Sequence, residues 1–255
     1  RRPPRSTLFP STTLFRSRPH RWEEAAVLEW AAKERPDSGV IHYWVGCLAQ
    51  RGKNDAASRK AWLRAVQCEP KLAGAHRNLG YQWFFNERDS VKAWPHYKAA
   101  LAAGETDPHL IEEAQFVLCH LGKLNERLAL LQASYKRDPA CDKLTRFLVC
   151  ALCDTGRYAE AVKLMRTAEF SPWEGERTLA IRYAEAMTAM ARLALRKARF
   201  DEAEKLYNQA LEIPENLGHA RSVLGNDAHV LYGLGLSAWM QGDASLADAY
   251  WERAA

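Results

Sequence analysis

Of the 255 residues, 47% are hydrophobic and 26% charged, a composition that can bury a core and does not fit an intrinsically disordered chain. The formal charge of +5 first suggests a nucleic-acid or membrane-surface partner, but residues 1–17 hold Arg1, Arg2, Arg5 and Arg16 and no acid, which leaves a net +1 on the body of the chain. A near-neutral body without a Lys/Arg run to track phosphates, and without the ~18 consecutive apolar residues of a bilayer span, predicts neither nucleic acid nor membrane as partner.

The opening stretch, RRPPRSTLFPSTTLFRS, has no alternation, helical period or cap signal, and carries TLF twice, at Thr7–Phe9 and Thr13–Phe15. Thr7 to Ser17 resembles the translation of a common DNA-sequencing adapter, departing from it at Ser11, where the adapter frame gives tyrosine. Residues 1–17 are therefore read as a disordered library artefact ahead of a bacterial metagenomic fragment, in preference to a natural tail or an acid-free transit peptide. The six cysteines (Cys47, Cys68, Cys119, Cys141, Cys150, Cys153) lack the framework of a small secreted scaffold, so a reducing, cytoplasmic setting is expected.

Next in chain order, RWEEAAVLEWAAKERP reads as a lone second helix at 22–35, with its first half where the adapter-like stretch sits. Gly46 in YWVGCLA and Gly80 in RNLGYQW recur at a spacing of about 34 residues, and each is followed by an aromatic and an alanine, Trp62 with Ala65 and Tyr97 with Ala100. Gly122 opens a further unit, Gly156 opens GRYAEAVKLM, and ARFDEAEKLYNQALEIP follows at 198–214. The last unit, LYGLGLSAWMQGDASLADAYWERAA, contains Gly235, Gly242, Ala247, Trp251 and Ala254. Counting these gives six repeats, at 38–70, 71–107, 108–141, 142–176, 177–226 and 227–255. The chain stops on a repeat alanine without a polar capping helix, so truncation is expected at both ends.

This pattern resembles the tetratricopeptide repeat, a helix-turn-helix unit of about 34 residues. The resemblance implies an all-α, right-handed alpha-alpha superhelix, or solenoid, over residues 18–255. Gly46, Gly80 and Gly235, with Ala57, Ala161, Ala203 and Ala247, would let helices approach, and Trp62, Tyr97, Tyr207 and Trp251 would fill the space left. Pro70, Pro139 and Pro214 would end helices, and Gly122, Gly156 and Gly242 would make the turns. PWEG at 172–175 and PENLG at 214–218 further resemble the C-terminal repeat region of large bacterial proteins that carry a conserved domain of unknown function, related to mutarotase-like sandwiches, ahead of their repeats.

Candidate chemistry is sparse. Cys150 and Cys153 share a redox-like spacing but sit in a first-helix segment, where small buried thiols are expected, and Cys119 and His120 are adjacent and point about 100° apart. The Glu112-Glu113 pair reads as a solvated helix face, and no phosphate-cradling glycine motif occurs. No catalysis, cofactor or metal is expected. Trp62 and Trp251 read as knobs, Trp30 and Trp44 as members of an apolar helical period, Trp22 as the opening of a second helix, and Trp173 as a hinge-packing loop residue.

In such a solenoid the first helices line a concave face that binds extended peptides. By repeat position it should present Tyr43, Arg77, Tyr81, Phe84, Glu112, Phe116, His120, Arg146, Arg192, Arg196, Tyr232 and Trp239. Interleaved arginine and aromatic side chains suit an acidic or aromatic-containing segment, either of a protein or peptide partner or of a domain of the same chain. The asparagine and lysine pattern of chaperone-tail repeats is missing, with Cys47 where asparagine would stand. The function expected is thus a non-catalytic interaction scaffold, with the accessory region of a carbohydrate-active enzyme as the alternative.

Overall fold

The computed structural model describes residues 23–104, 106–171, 178–217 and 227–255, which form thirteen α-helices and no strand. The readings made at residues 1–17, Trp22, Trp173, PWEG and Gly218 lie outside the described residues. The chain divides into two compact units, up to Leu121 and from Gly122 onward. In the first, α1 (Glu23–Glu34) precedes a hairpin of α2 (Gly39–Arg51) and α3 (Asp55–Cys68), a second of α4 (Ala73–Tyr81) and α5 (Ser90–Ala102), and α6 (Pro108–His120). In the second, α7 (Leu124–Arg137) precedes the hairpins of α8 (Asp142–Asp154) with α9 (Tyr158–Thr167), α10 (Thr178–Arg196) with α11 (Phe200–Leu211), and α12 (Ala228–Met240) with α13 (Ala244–Ala254).

The hairpins share one packing rule, visible when the second helices are aligned on their N-cap residues. Asn54, Asp89 and Asp243 cap α3, α5 and α13 by accepting the backbone N–H three residues on, at 2.9–3.0 Å. Four residues past the N-cap stands a small, fully buried residue: Ser58, Ala93, Ala161, Ala203 or Ala247. Eight past it comes a large knob, Trp62, Tyr97, Met165, Tyr207 or Trp251. The aromatic knobs lie on first-helix glycines. A Cβ on Gly46 would stand 2.3 Å from the Trp62 ring, one on Gly80 2.9 Å from Tyr97 and one on Gly235 2.3 Å from Trp251. Tyr207 lies instead on Gly233 of the next hairpin, where a Cβ would stand 2.3 Å from its ring. Both indoles also donate to backbone, Trp62 Nε1 to the Tyr43 carbonyl at 3.1 Å and Trp251 Nε1 to the Tyr232 carbonyl at 3.3 Å.

Two expectations are corrected by the structure. The small residue of the first hairpin is Ser58, whereas Ala57 is exposed. Trp30, expected on an apolar period, is exposed on α1. In α7 the small position is held by Arg127, a buried side chain that donates to Asp154 Oδ2 at 2.6 Å.

The interval from glycine to knob is the same in the first and last hairpins (Gly46 to Trp62, Gly235 to Trp251) but one residue longer in the second (Gly80 to Tyr97). The additional residue is taken up by a π-helical turn at Gln82–Asn86, where Glu87 N donates to Gln82 O at 3.1 Å, a bond spanning five residues. The buried Gln82 secures that turn through its side-chain amide, which donates to Gln50 Oε1 at 2.9 Å and Ser58 Oγ at 2.7 Å. Asn216 of the PENLG segment has a comparable task in the second unit, donating to the carbonyls of Met165 (2.8 Å) and Ala168 (3.1 Å) at the end of α9.

The residue before the N-cap position of α3, α5, α7, α9, α11 and α13 is left-handed: Lys53, Arg88, Gly122, Gly156, Ala198 and Gly242, with φ between 54° and 87°. Three of these carry a Cβ that strains against the following carbonyl. Ala198→Gly should therefore stabilise the chain and Gly156→Ala destabilise it, each by about 1 kcal/mol in urea unfolding. Gly46→Ala, whose methyl must enter the Trp62 ring, should cost about 2–3 kcal/mol in the same assay.

Candidate functional site

In the first unit, the side chains expected on the first-helix face divide into a polar cluster and an aromatic one. Arg77 of α4 presents its fork to Glu113 of α6, with Nε and Nη2 at 3.1 and 2.8 Å from the two carboxylate oxygens, while Nη1 reaches Asp107 Oδ2 at 3.1 Å. Asp107 at the same time caps α6 by accepting His109 N. The Tyr97 hydroxyl donates to Glu113 Oε2 at 3.3 Å, so α4, α5 and α6 meet at one carboxylate. The hydrogen bond to Glu113 is the largest influence raising the Arg77 pKa, and burial holds the Tyr97 phenol well above its ordinary range. Arg77 is thus neutralised within the fold and not held out for a partner, and Glu113, expected on a solvated face, is a half-buried staple. Glu112 stays at the surface edge, 3.5 Å from His109.

The aromatic cluster is changed by the π turn. Phe84, expected as lining, is 5% exposed and packs edge-on against Phe85 and His120, with ring centroids 4.7 and 4.9 Å away. An inserted residue rotates the next positions by about 100° around the helix axis, which carries Phe84 inward and leaves Phe85 to stack on Tyr81 at 4.5 Å. Tyr81 (44% exposed) and Phe116 remain at the surface, and His120 Nδ1 donates to the Phe116 carbonyl at 3.0 Å. Tyr43 lies half-buried over Gly74, whose absent Cβ would stand 3.1 Å from the ring. Trp83, not singled out in the sequence, is flanked by Arg59 and Lys92, with cation-to-centroid distances of 4.4 and 4.7 Å.

In the second unit, Arg146 is also engaged internally. It pairs with Asp142 through two bonds of 2.8 and 3.2 Å, donates to the Ser171 carbonyl at 2.8 Å, and lies over Phe170. Arg192 and Arg196 are exposed on α10, one turn apart. The neighbouring Arg192 charge partly offsets the rise that burial gives the Tyr207 phenol pKa. On α12, Tyr232 (59% exposed) and Trp239 (56%) flank Trp251, with both centroids at 6.2 Å. The structure thus leaves Tyr81 and Phe116 in one unit, and Arg192, Arg196, Tyr232 and Trp239 in the other, as outward side chains of first helices.

Burial pushes the Cys150 thiol up and the Cys153 thiol to about 12, the opposite direction to the lowering that activates a thiolate. Among the described residues, no group of three or more His, Cys, Asp or Glu side chains comes together to hold a metal ion. A histidine pair does occur: His76 and His96 have their Nδ1 atoms 3.2 Å apart, and His76 Nε2 donates to the Pro70 carbonyl at 3.0 Å. Burial, followed by the neighbouring His76, lowers the His96 pKa from 6.5 to about 4. No helix among the described residues is long and apolar enough to cross a membrane.

The family model described as tetratrico peptide repeat matches residues 85–194. That stretch begins in the π turn, ends in α10, and contains the knobs Tyr97 and Met165 with their small partners Ala93 and Ala161. Residues 85–194 match the tetratricopeptide repeat. The fold of the chain is similar to that of YrrB, described as a tetratricopeptide-repeat protein with an unusual peptide-binding site: 16% identity, 75% of this chain and 94% of that one covered, TM-score 0.53. A tetratricopeptide repeat protein from Parabacteroides merdae aligns over 84% of this chain and 78% of its own at 15% identity and TM-score 0.45. PilF of Pseudomonas aeruginosa aligns over 85% and 90% at 16% identity and TM-score 0.41.

Removing the Arg77 guanidinium strands Glu113 and Asp107, so Arg77→Met should lower stability by about 1–3 kcal/mol, whereas Tyr81→Ala should cost less than about 1 kcal/mol; denaturant titrations separate the two. His96 binds its proton in the unfolded chain near pH 6.5 and in the folded one only near 4. Its contribution is therefore complete above pH 6.5 and is lost as pH falls toward 4. His96→Gln should flatten the fall in melting temperature across that window relative to the parent chain.

Proposed function

We propose that this chain is a non-catalytic scaffold that docks a polypeptide segment, or a neighbouring domain, on the outward side chains of its first helices. Tetratricopeptide-repeat folds serve protein interaction in general, and the particular support here is a segregation of side chains. Second helices place Trp62, Tyr97, Tyr207 and Trp251 on glycine, while first helices leave Tyr81, Phe116, Tyr232 and Trp239 at the surface, 38–59% exposed. Rigid aromatic rings supply contact area at small cost in side-chain entropy, which is why they dominate binding surfaces. YrrB's description as having a peptide-binding site agrees with this reading.

Panning the full chain against a random dodecapeptide library tests it. A consensus should be enriched, and either Tyr81→Ala with Phe116→Ala or Tyr232→Ala with Trp239→Ala should abolish that enrichment while far-UV circular dichroism stays unchanged. No enrichment, or enrichment indifferent to both double variants, would overturn the proposal.

A further inference from the structure

A pocket of about 270 Å³ opens in the second unit among Cys153 of α8, Arg182, Glu185, Thr188 and Arg192 of α10, and His229 of α12. Thr188 is its unusual member. Three other threonines, within helices or at a helix end, turn their hydroxyls back onto a carbonyl four residues earlier: Thr145 onto Cys141 at 3.1 Å, Thr155 onto Ala151 at 2.8 Å and Thr167 onto Lys163 at 3.0 Å. Thr188 is 3% exposed and its hydroxyl has no partner among the described residues. Buried hydroxyls are rarely left unpaired, and one lining an open pocket is a donor awaiting an acceptor.

The charges around it point the same way. Arg182 is matched by Asp154 and by Glu185, each at 3.1 Å. Arg192, by contrast, meets a neutral phenol, Tyr207, and no carboxylate among the described residues. Thr188 and Arg192 are four residues apart on one helix, so they share a face at about 5–6 Å between Cβ atoms, a span that one carboxylate can bridge with its two oxygens.

We infer that this pocket takes the carboxylate of an aspartate or glutamate side chain from a docked polypeptide, one oxygen on Arg192 and the other on Thr188. The inference rests on the proposed docking role of the first helices and names its chemistry. The pocket is smaller than the ~300–1,000 Å³ of a small-molecule site. Its surroundings continue with Arg196 one turn beyond Arg192 and Tyr232 one turn beyond His229, both exposed and able to receive neighbouring residues of an extended segment.

The test uses the full chain and the dodecapeptides it enriches. An Asp or Glu should recur at one fixed position. Fluorescence anisotropy of the leading peptide should show about tenfold weaker binding when that acid is replaced by its amide, and the same loss for Arg192→Gln, without further loss when the two changes are combined. Thr188→Val should weaken binding about threefold while melting at the same temperature or higher, which a purely structural hydroxyl would not do. Arg199→Gln, which alters an exposed pair with Glu202, should change nothing. Free glutamate should not compete up to millimolar concentration, and competition within that range would overturn the polypeptide assignment in favour of a small acid. A consensus without a fixed acid, or one indifferent to Arg192→Gln and Thr188→Val, would overturn this site yet leave first-helix docking standing. Failure to enrich any peptide would instead remove the docking reading itself.

Discussion

An aromatic ring lying where a Cβ would otherwise be is the constraint on which these hairpins are built. Trp62 over Gly46, Tyr97 over Gly80 and Trp251 over Gly235 need the two helices to approach closely enough that the ring touches backbone. The approach is possible because the knob lies four residues after another small position, so the second helix presents one hollow and one projection to its neighbours. Dispersion contacts in such an arrangement are dense and directional, and they set the hairpin angle more narrowly than apolar burial alone could. Where the knob is Met165, a thinner and more adaptable side chain, the first-helix position equivalent to Gly46 is Val149 and no glycine is required.

The same constraint explains what can be read from the sequence. Turn residue, small position and knob follow one another at fixed intervals, so the helical hairpins and the burial of Tyr97, Tyr207 and Trp62 follow from spacing alone. Spacing fails where two residues could exchange places at equal cost. Ala57 and Ser58 are both small, and only the N-cap bond to Asn54 shows which of them faces inward. Phe84 falls on the wrong side of such a reading because an inserted residue is invisible until the backbone shows where it is absorbed.

The polar residues are harder still. Arg77 and Arg146 read as outward forks because a lone sequence gives no view of the carboxylate that will meet them. Glu113 lies 36 residues from Arg77, one repeat further on, and the half-buried setting of the pair makes it a tie between helices. Asp142 sits a single turn before Arg146, a local pairing that the sequence does permit, but the Ser171 carbonyl that completes its coordination arrives from a separate segment. The charges left outward, Arg192 and Arg196, are identified by elimination once the internal partners are known.

The π-helical turn at Gln82–Asn86 bears on how such a chain can change over time. One residue has entered the second hairpin, yet Tyr97 still reaches its glycine and the following N-cap, Asp89, still holds Lys92 N at 2.9 Å. The insertion is confined to five residues and does not propagate into the next helix. An array built this way tolerates single-residue length changes hairpin by hairpin, so the rings displaced at its surface, as with Phe84 and Phe85, can be reshuffled in one unit without renegotiating the packing of the others.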